Sequence, residues 1–215
     1  VQTAVIVRAN DLAAAQWGLF TAAQAQAQGL SRMQLSRMVD AGLFDRLEHG
    51  VYVSPAVQGD HLLPLRSAWL ALQPARSVQE RLADLPSAGV VSHSSAAQLH
   101  GLGDLLADEH EFVLPDRFQS RRVGVRVRRA VLDASEVTIV AGLPVTTAAR
   151  TIADLLAAGH DDDHVAAVIA DALRAGLTDR RTLTAALETA AARRGEPSGA
   201  DLVDRLTRTR TRVDQ

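Results

Sequence analysis

Arginines set among small polar side chains give this chain its first chemical signal. Arg32, Ser36 and Arg37 fall within about a turn and a half of a helix, with Ser31 and Gln34 beside them and Arg46 and His49 downstream. A guanidinium pairs with a guanine edge through two hydrogen bonds, and hydroxyls and amides donate to phosphates, so the chemistry on offer is nucleic-acid recognition. A second run, Ser92-His93-Ser94-Ser95, sets serine next to histidine. A nucleophilic serine needs a base held by a third group and an oxyanion hole, usually at an elbow such as G-x-S-x-G, and neither accompanies this run. Serines ahead of an alanine-rich helix read as caps, and no enzyme activity is expected. His160 and His164 bracket Asp161, Asp162 and Asp163. Acids at a helix start are favoured by the positive end of its dipole. Without a further ligand set the cluster reads as capping, with no metal and no cofactor expected.

The most basic stretch holds Arg121, Arg122, Arg126 and Arg128. Strict alternation sends Val123, Val125 and Val127 to one face and Arg122, Arg126 and Arg128 to the other. Two readings stand side by side. One is an edge strand guarded by charge against aggregation. The other is a platform for phosphates or for an acidic partner.

The first group needs a scaffold, and local signals describe it. Thr21 and Gln24 have capping-box spacing at the start of a short helix that Gly29 ends. Ser31 and Gln34 repeat the box and open a second helix to about Ala41, which Gly42 ends. Two short helices joined by a glycine-containing turn make a helix-turn-helix. On the second, Leu35, Met38 and Val39 share one face; Met33, Ser36, Arg37 and Asp40 turn the other way, with Arg32 and Gln34 on the flanks. β-Prone runs at 43–47 and 51–53 around Glu48-His49-Gly50 then read as a wing. The plainer alternative is a helical hairpin with a solvated outer face.

The remaining chain supports two domains. A helix at 9–18, capped by Asn10 or Asp11 and turning Leu12 and Trp17 inward, braces the helix-turn-helix. Residues 54–60 change character and read as a linker, which places the domains at 1–58 and 59–215. A helix at 61–72 and a partly helical 74–86 follow. Strands are expected at 90–91, 111–115, 137–140 and 143–145, with a helix ending at Gly101 after the first. From about 147 the chain is helical: 148–158 capped by Thr146 or Thr147, with Ile152, Leu155 and Leu156 as its buried stripe. Helices at 162–175, 179–193 and 199–207 and a frayed arginine tail at 208–212 complete it. The expected fold class is α+β: an N-terminal winged helix-turn-helix domain followed by a mixed α/β domain with a helical C-terminal part.

Composition bounds the function. At 215 residues, 47% hydrophobic and 22% charged, the chain is globular and long enough for a real core. It has no cysteine, so disulfides and thiolate metal sites are excluded. All 23 basic residues are arginine. The missing lysine excludes a P-loop lysine, a Schiff-base lysine and a nuclease that needs a catalytic lysine. Net charge is −2, and residues 1–60 hold four arginines against five acids, so DNA affinity must come from local clustering. No apolar run approaches ~18 residues, so no membrane span is expected. The first residues lack a basic start and a long apolar core, so a secretory signal is not expected and cytoplasm is the default.

Three segments in order carry a family resemblance. They are Leu30-Ser31-Arg32 through Ala41-Gly42-Leu43-Phe44-Asp45-Arg46-Leu47 to His49-Gly50-Val51-Tyr52-Val53; Ser92-His93-Ser94-Ser95-Ala96-Ala97-Gln98-Leu99-His100-Gly101-Leu102; and Gly142-Leu143-Pro144-Val145-Thr146-Thr147-Ala148-Ala149-Arg150-Thr151-Ile152-Ala153-Asp154-Leu155. Spanning about 19–155, this order resembles the AbiEi family of antitoxins, the repressor half of a two-gene toxin–antitoxin system. The resemblance implies a winged helix that represses its own promoter and a C-terminal region that neutralises a nucleotidyltransferase-like toxin. Some relatives carry a C-terminal nuclease, a version the length and missing lysine argue against. No Gly-Ser followed by paired Asp marks the toxin itself.

The expectation is therefore a sequence-specific DNA-binding repressor and antitoxin. Ser31, Arg32, Gln34, Ser36 and Arg37 would enter the major groove, with Arg32 and Arg37 as base readers, while Arg46 and His49 touch backbone or minor groove. One module reads a half-site, so an inverted-repeat operator and a homodimer on DNA are expected. The alternative is a protein-interaction module that holds the toxin, with little specific DNA binding.

Overall fold

In the computed structural model, which describes residues 3–105, 107–120 and 122–213, helix α1 spans Thr3–Ala14. It starts well before the expected 9–18 because Val5, Ala9 and Ala13, spaced four apart, form its buried stripe. Packing of that stripe outweighs the capping signal of Asn10 and Asp11. The chain then makes a short strand that local patterning did not reveal, β1 (Leu19–Thr21). Thr21 both ends this strand and caps α2 (Ala22–Ala27). Its Oγ accepts from the Gln24 N–H at 3.1 Å, and Gln24 Oε1 accepts from the Thr21 N–H at 2.9 Å. Loss of such a cap costs about 1 kcal/mol. After Gly29, whose φ of +76° suits a residue without Cβ, Ser31 caps α3 (Arg32–Asp40) through the same reciprocal box. Both boxes stand where the spacing put them.

Strands β2 (Asp45–Glu48) and β3 (Val51–Val53) follow, pairing antiparallel in a sheet of order β1-β3-β2. Phe20 and Phe44 meet edge to face at 5.0 Å, and Phe20 stacks on Tyr52 at 5.3 Å. With Leu30, Leu35 and Met38 these rings close the core beneath a winged helix.

The N-terminal unit runs to Asp84, past the boundary expected at 58. Helices α4 (Leu63–Leu72) and α5 (Val78–Leu82) belong to it. Trp69 packs edge-on against Trp17 at 5.8 Å, and the Gln16 and Gln24 amides, bonded to each other, reach the Val78 N–H and the Arg76 carbonyl. Arg81 is fully buried. Its guanidinium lies 3.3 Å from the Trp69 ring centroid and donates to the Trp69 carbonyl at 2.6 Å. The segment read as the start of a second domain is thus bonded to the first.

The second unit, Leu85–Gln215, holds a mixed sheet. Its strands are β4 (Val90–Val91), β5 (His110–Leu114), β6 (Val125–Arg129), β7 (Val137–Val140) and β8 (Leu143–Thr146), in the order β6-β5-β4-β8-β7. β4 pairs parallel with β8, and β5 with β6; the outer hairpin β7–β8 is antiparallel. Helix α6 (His93–His100) follows β4 and stops at Gly101 in the left-handed conformation. Helices α7 (Ala148–Ala157), α8 (Asp162–Arg174), α9 (Arg180–Arg194) and α10 (Gly199–Val213) bury Ile152, Leu155, Val165, Ile169, Leu183, Leu187, Leu202 and Leu206 in one core. α10 extends through the tail expected to fray. At α8, Asp161 is the cap, its carboxylate accepting from the Asp163 N–H. Among the described residues no helix is long and apolar enough to cross a membrane.

Candidate nucleic-acid interface

Helix α3 is held down by Leu35 and Met38, both buried, and presents Arg32, Met33, Ser36, Arg37 and Asp40 to solvent. At about 100° per residue, Arg32 and Ser36 share the flank that turns toward the wing, whereas Arg37 lies on the other flank. A groove of ≈ 540 Å³ runs between helix and wing, lined by Arg32, Ser36 and Val39 on one side and Arg46, His49 and Tyr52 on the other. Four of the seven residues singled out from sequence therefore meet in one place.

The other three stand elsewhere. Ser31 and Gln34 are joined in the capping box: Ser31 Oγ accepts from the Gln34 N–H at 3.2 Å, and Gln34 Oε1 accepts from the Ser31 N–H at 2.8 Å. They shape the helix start. Arg37 is exposed but outside the groove, so the two α3 arginines flank the solvent face instead of working side by side. Val39, expected wholly in the apolar stripe, is half-buried and forms part of the groove wall.

The wing owes its shape to an irregular register. Asp45 pairs with Val53 and Arg46 with Tyr52, but Glu48 pairs with Val51, so Leu47 is an extra residue that bulges β2. Gly50, at φ +75°, closes the tip. Arg46 Nη2 lies 2.9 Å from His49 Nδ1, so the guanidinium donates to the imidazole when that nitrogen carries a lone pair. Asp45, the nearest acid in sequence to Arg46, accepts instead from the Gln58 amide. Among the described residues, neither Arg32 nor Arg37 has a carboxylate at ion-pair distance. Tyr52, which sequence reasoning overlooked, stands opposite Arg46; the hairpin register was the signal that placed it there.

The second basic surface is built differently. Arg121 lies outside the described residues. Arg122 precedes the strand, its N–H bonded to Ser120 Oγ at 3.1 Å, and Val123 is fully exposed, so the expected alternation from 122 does not form. Pairing with β5 begins only at Val125, where a parallel partner exists. β6 is an edge strand, and two of its arginines are paired locally, Arg126 with Glu109 at 2.6 Å and Arg128 with Glu111 at 3.1 Å, while Arg129 donates to the Pro115 carbonyl.

Glu111 also corrects the reading of the serine run. Ser92 stands at the N-cap position of α6 without a side-chain capping bond. Its Oγ lies 3.0 Å from His93 Nδ1. The helix start is satisfied instead by Glu111 Oε2, which accepts from the Ser94 N–H at 3.0 Å, while Ser95 Oγ donates to the Glu109 carbonyl. A carboxylate from the neighbouring strand does the work expected of a hydroxyl. Ser92, His93, Ser94 and Ser95 are all buried.

Comparison with known proteins follows the same division of the chain. Residues 7–55 match a family described as a transcriptional regulator, AbiEi antitoxin, and residues 87–202 match the AbiEi antitoxin C-terminal domain. No curated protein matches significantly. Among solved structures the fold is similar to that of the RV2827C protein from Mycobacterium tuberculosis, with a TM-score of 0.58 at 17% identity, over 96% of this chain and 78% of that one.

Proposed function

This chain belongs to the AbiEi antitoxin family, and we propose that its N-terminal unit is an autorepressor that grips operator DNA with α3 and the wing. The C-terminal unit, on the same reading, neutralises a nucleotidyltransferase-like toxin in the cytoplasm. One observation carries the DNA-binding part: Arg32, Ser36, Arg46 and His49 converge on one groove, and the arginines there have not been spent on carboxylates. Free guanidiniums on a helix and its wing supply both base readout and phosphate neutralisation. Because one module spans a half-site, two copies sit on an inverted repeat with centres about 34 Å apart or a multiple of that.

The proposal is non-enzymatic. Among the described residues the His93 imidazole has no hydrogen bond to a carboxylate of the kind a triad requires, and Glu111 bonds the Ser94 N–H and Arg128 instead.

The test is a gel-shift titration of the full chain on DNA upstream of its own coding sequence, across a salt series. Binding that weakens in Arg32→Ala and Arg46→Ala while an unrelated duplex is not retained supports the repressor. No binding to that DNA by the wild-type protein, with toxin neutralisation intact, favours the alternative of a protein-interaction module.

A further inference from the structure

We infer that Met33 is a specificity-determining residue that reads the 5-methyl group of thymine in the major groove. The inference rests on the DNA-binding reading above and adds a base identity to it. Along α3 the buried residues are Leu35 and Met38; at about 100° per residue, Met33 and Asp40 stand on the opposite side, the part of the helix farthest from the core. Met33 is 62% exposed, the most exposed large apolar side chain among the described residues of the N-terminal unit. Its neighbours on that surface are Arg32, Ser36 and Arg37, with Asp40 two turns further on, so it is an apolar group in a charged, hydrogen-bonding field dominated by two arginines. A partner protein surface that covers methionine with apolar side chains would strand those two guanidiniums. A DNA duplex satisfies both kinds of group: phosphates and base edges take the arginines, and the thymine 5-methyl is the apolar group that the major groove displays. The position suits the task, because the N-terminal residues of a recognition helix reach the base edges and Met33 is the second residue of α3. The thioether is long, unbranched and polarisable, so it settles against a methyl without a fixed rotamer.

The size of the effect follows from burying one methyl group, about fourfold in affinity per contacted thymine. The experiment selects binding duplexes from a random pool with the full-length wild-type protein. It then replaces each thymine of the bound site singly by deoxyuridine, which removes only the methyl. Dissociation constants are measured at one fixed salt concentration for wild type and for Met33→Ala, an exposed substitution to a better helix former.

The expected result is one thymine per half-site at which loss of the methyl weakens the wild type about fourfold, while Met33→Ala binds the thymine and deoxyuridine duplexes equally. A repeat selection with Met33→Gln moves that position toward adenine, the base whose edge a carboxamide pairs with. A wild type indifferent to every methyl, or a Met33→Ala protein that keeps the full discrimination, overturns the inference and leaves the repressor standing. Failure to select any duplex overturns both together.

Discussion

The C-terminal unit and the winged helix of this chain use arginine differently. In the C-terminal unit several guanidiniums are matched to acids: Arg126 and Arg128 to Glu109 and Glu111, Arg150 to Glu136 and Asp154, and Arg194 and Arg205 to the shared carboxylate of Asp162. In the winged helix, among the described residues, Arg32 and Arg37 face solvent without an acid and Arg46 meets the His49 ring nitrogen, while beyond it in the same unit Arg66 pairs with Asp60 and Arg81 is buried on an indole face. A chain whose only cation is arginine cannot be read by counting charge. What separates a structural arginine from an available one is whether the fold commits its guanidinium to a carboxylate, a carbonyl or a ring.

Lowering the pH gives the largest expected effect and acts on the C-terminal side of this contrast. Burial, followed by Arg128, His160 and other nearby arginines, pushes the His93 imidazole down to about 3 from its ordinary 6.5. The folded value lies below the unfolded one. The stability due to neutral His93 is therefore complete above about pH 6.5 and is lost as the pH falls from there toward 3. Asp154 acts in the opposite sense. Burial, only partly offset by Arg150, raises its carboxyl, so its cost is present at neutral pH and is relieved as the pH drops through the folded value. Thermal melts between pH 7 and pH 4 should show a falling midpoint for the wild type and a flatter curve for His93→Asn. Asparagine is chosen because it tolerates the positive φ of 51° at this position. An equally steep fall in the variant would assign acid sensitivity to the ion pairs.

Next in size is Arg150→Ala. It removes the partner of Glu136 and of the buried Asp154, each held at 2.8 Å, and should lower unfolding free energy by about 3 kcal/mol, while affinity for DNA stays unchanged. Adding Asp154→Ala should restore much of the loss in a denaturant titration; no recovery would place the damage in packing.

The mirror experiment is Arg32→Ala, expected to cost about 1–3 kcal/mol in DNA affinity with stability within ~0.5 kcal/mol of wild type. Equal damage to folding would make Arg32 a structural arginine like those of the C-terminal unit. Smallest is Arg126→Ala on the edge strand: its pair with Glu109 is half-exposed, worth about 0–1 kcal/mol. The slope of DNA affinity against salt should not change. A slope reduced by about one would revive the phosphate-platform reading of β6.

Local chemistry was legible and long-range pairing was not. The boxes at Thr21/Gln24 and Ser31/Gln34 act over three residues, and both form as the spacing indicates. β1 is a strand only because β3, more than a whole helix-turn-helix later, supplies its partner. The same distance hides Glu111 as the cap of α6 and Glu109 and Glu111 as the partners of Arg126 and Arg128: the parallel register of β5 and β6 makes those neighbours. In the candidate site, Arg32 and Ser36 follow from helical periodicity. Tyr52 and the Arg46–His49 contact depend on a bulge that no residue type announces.

The aromatic ladder under the wing sets a mechanical condition on recognition. Phe20 touches both Phe44, between α3 and the wing, and Tyr52, the cross-strand partner of Arg46, so helix and wing share one bedplate. On the proposed reading the gap between Arg32 and Arg46 is set before any duplex arrives, and the protein works as a fixed-jaw caliper. Sequences whose backbone lies too wide or too narrow for those jaws must deform to fit, and are rejected for their stiffness whatever letters they carry.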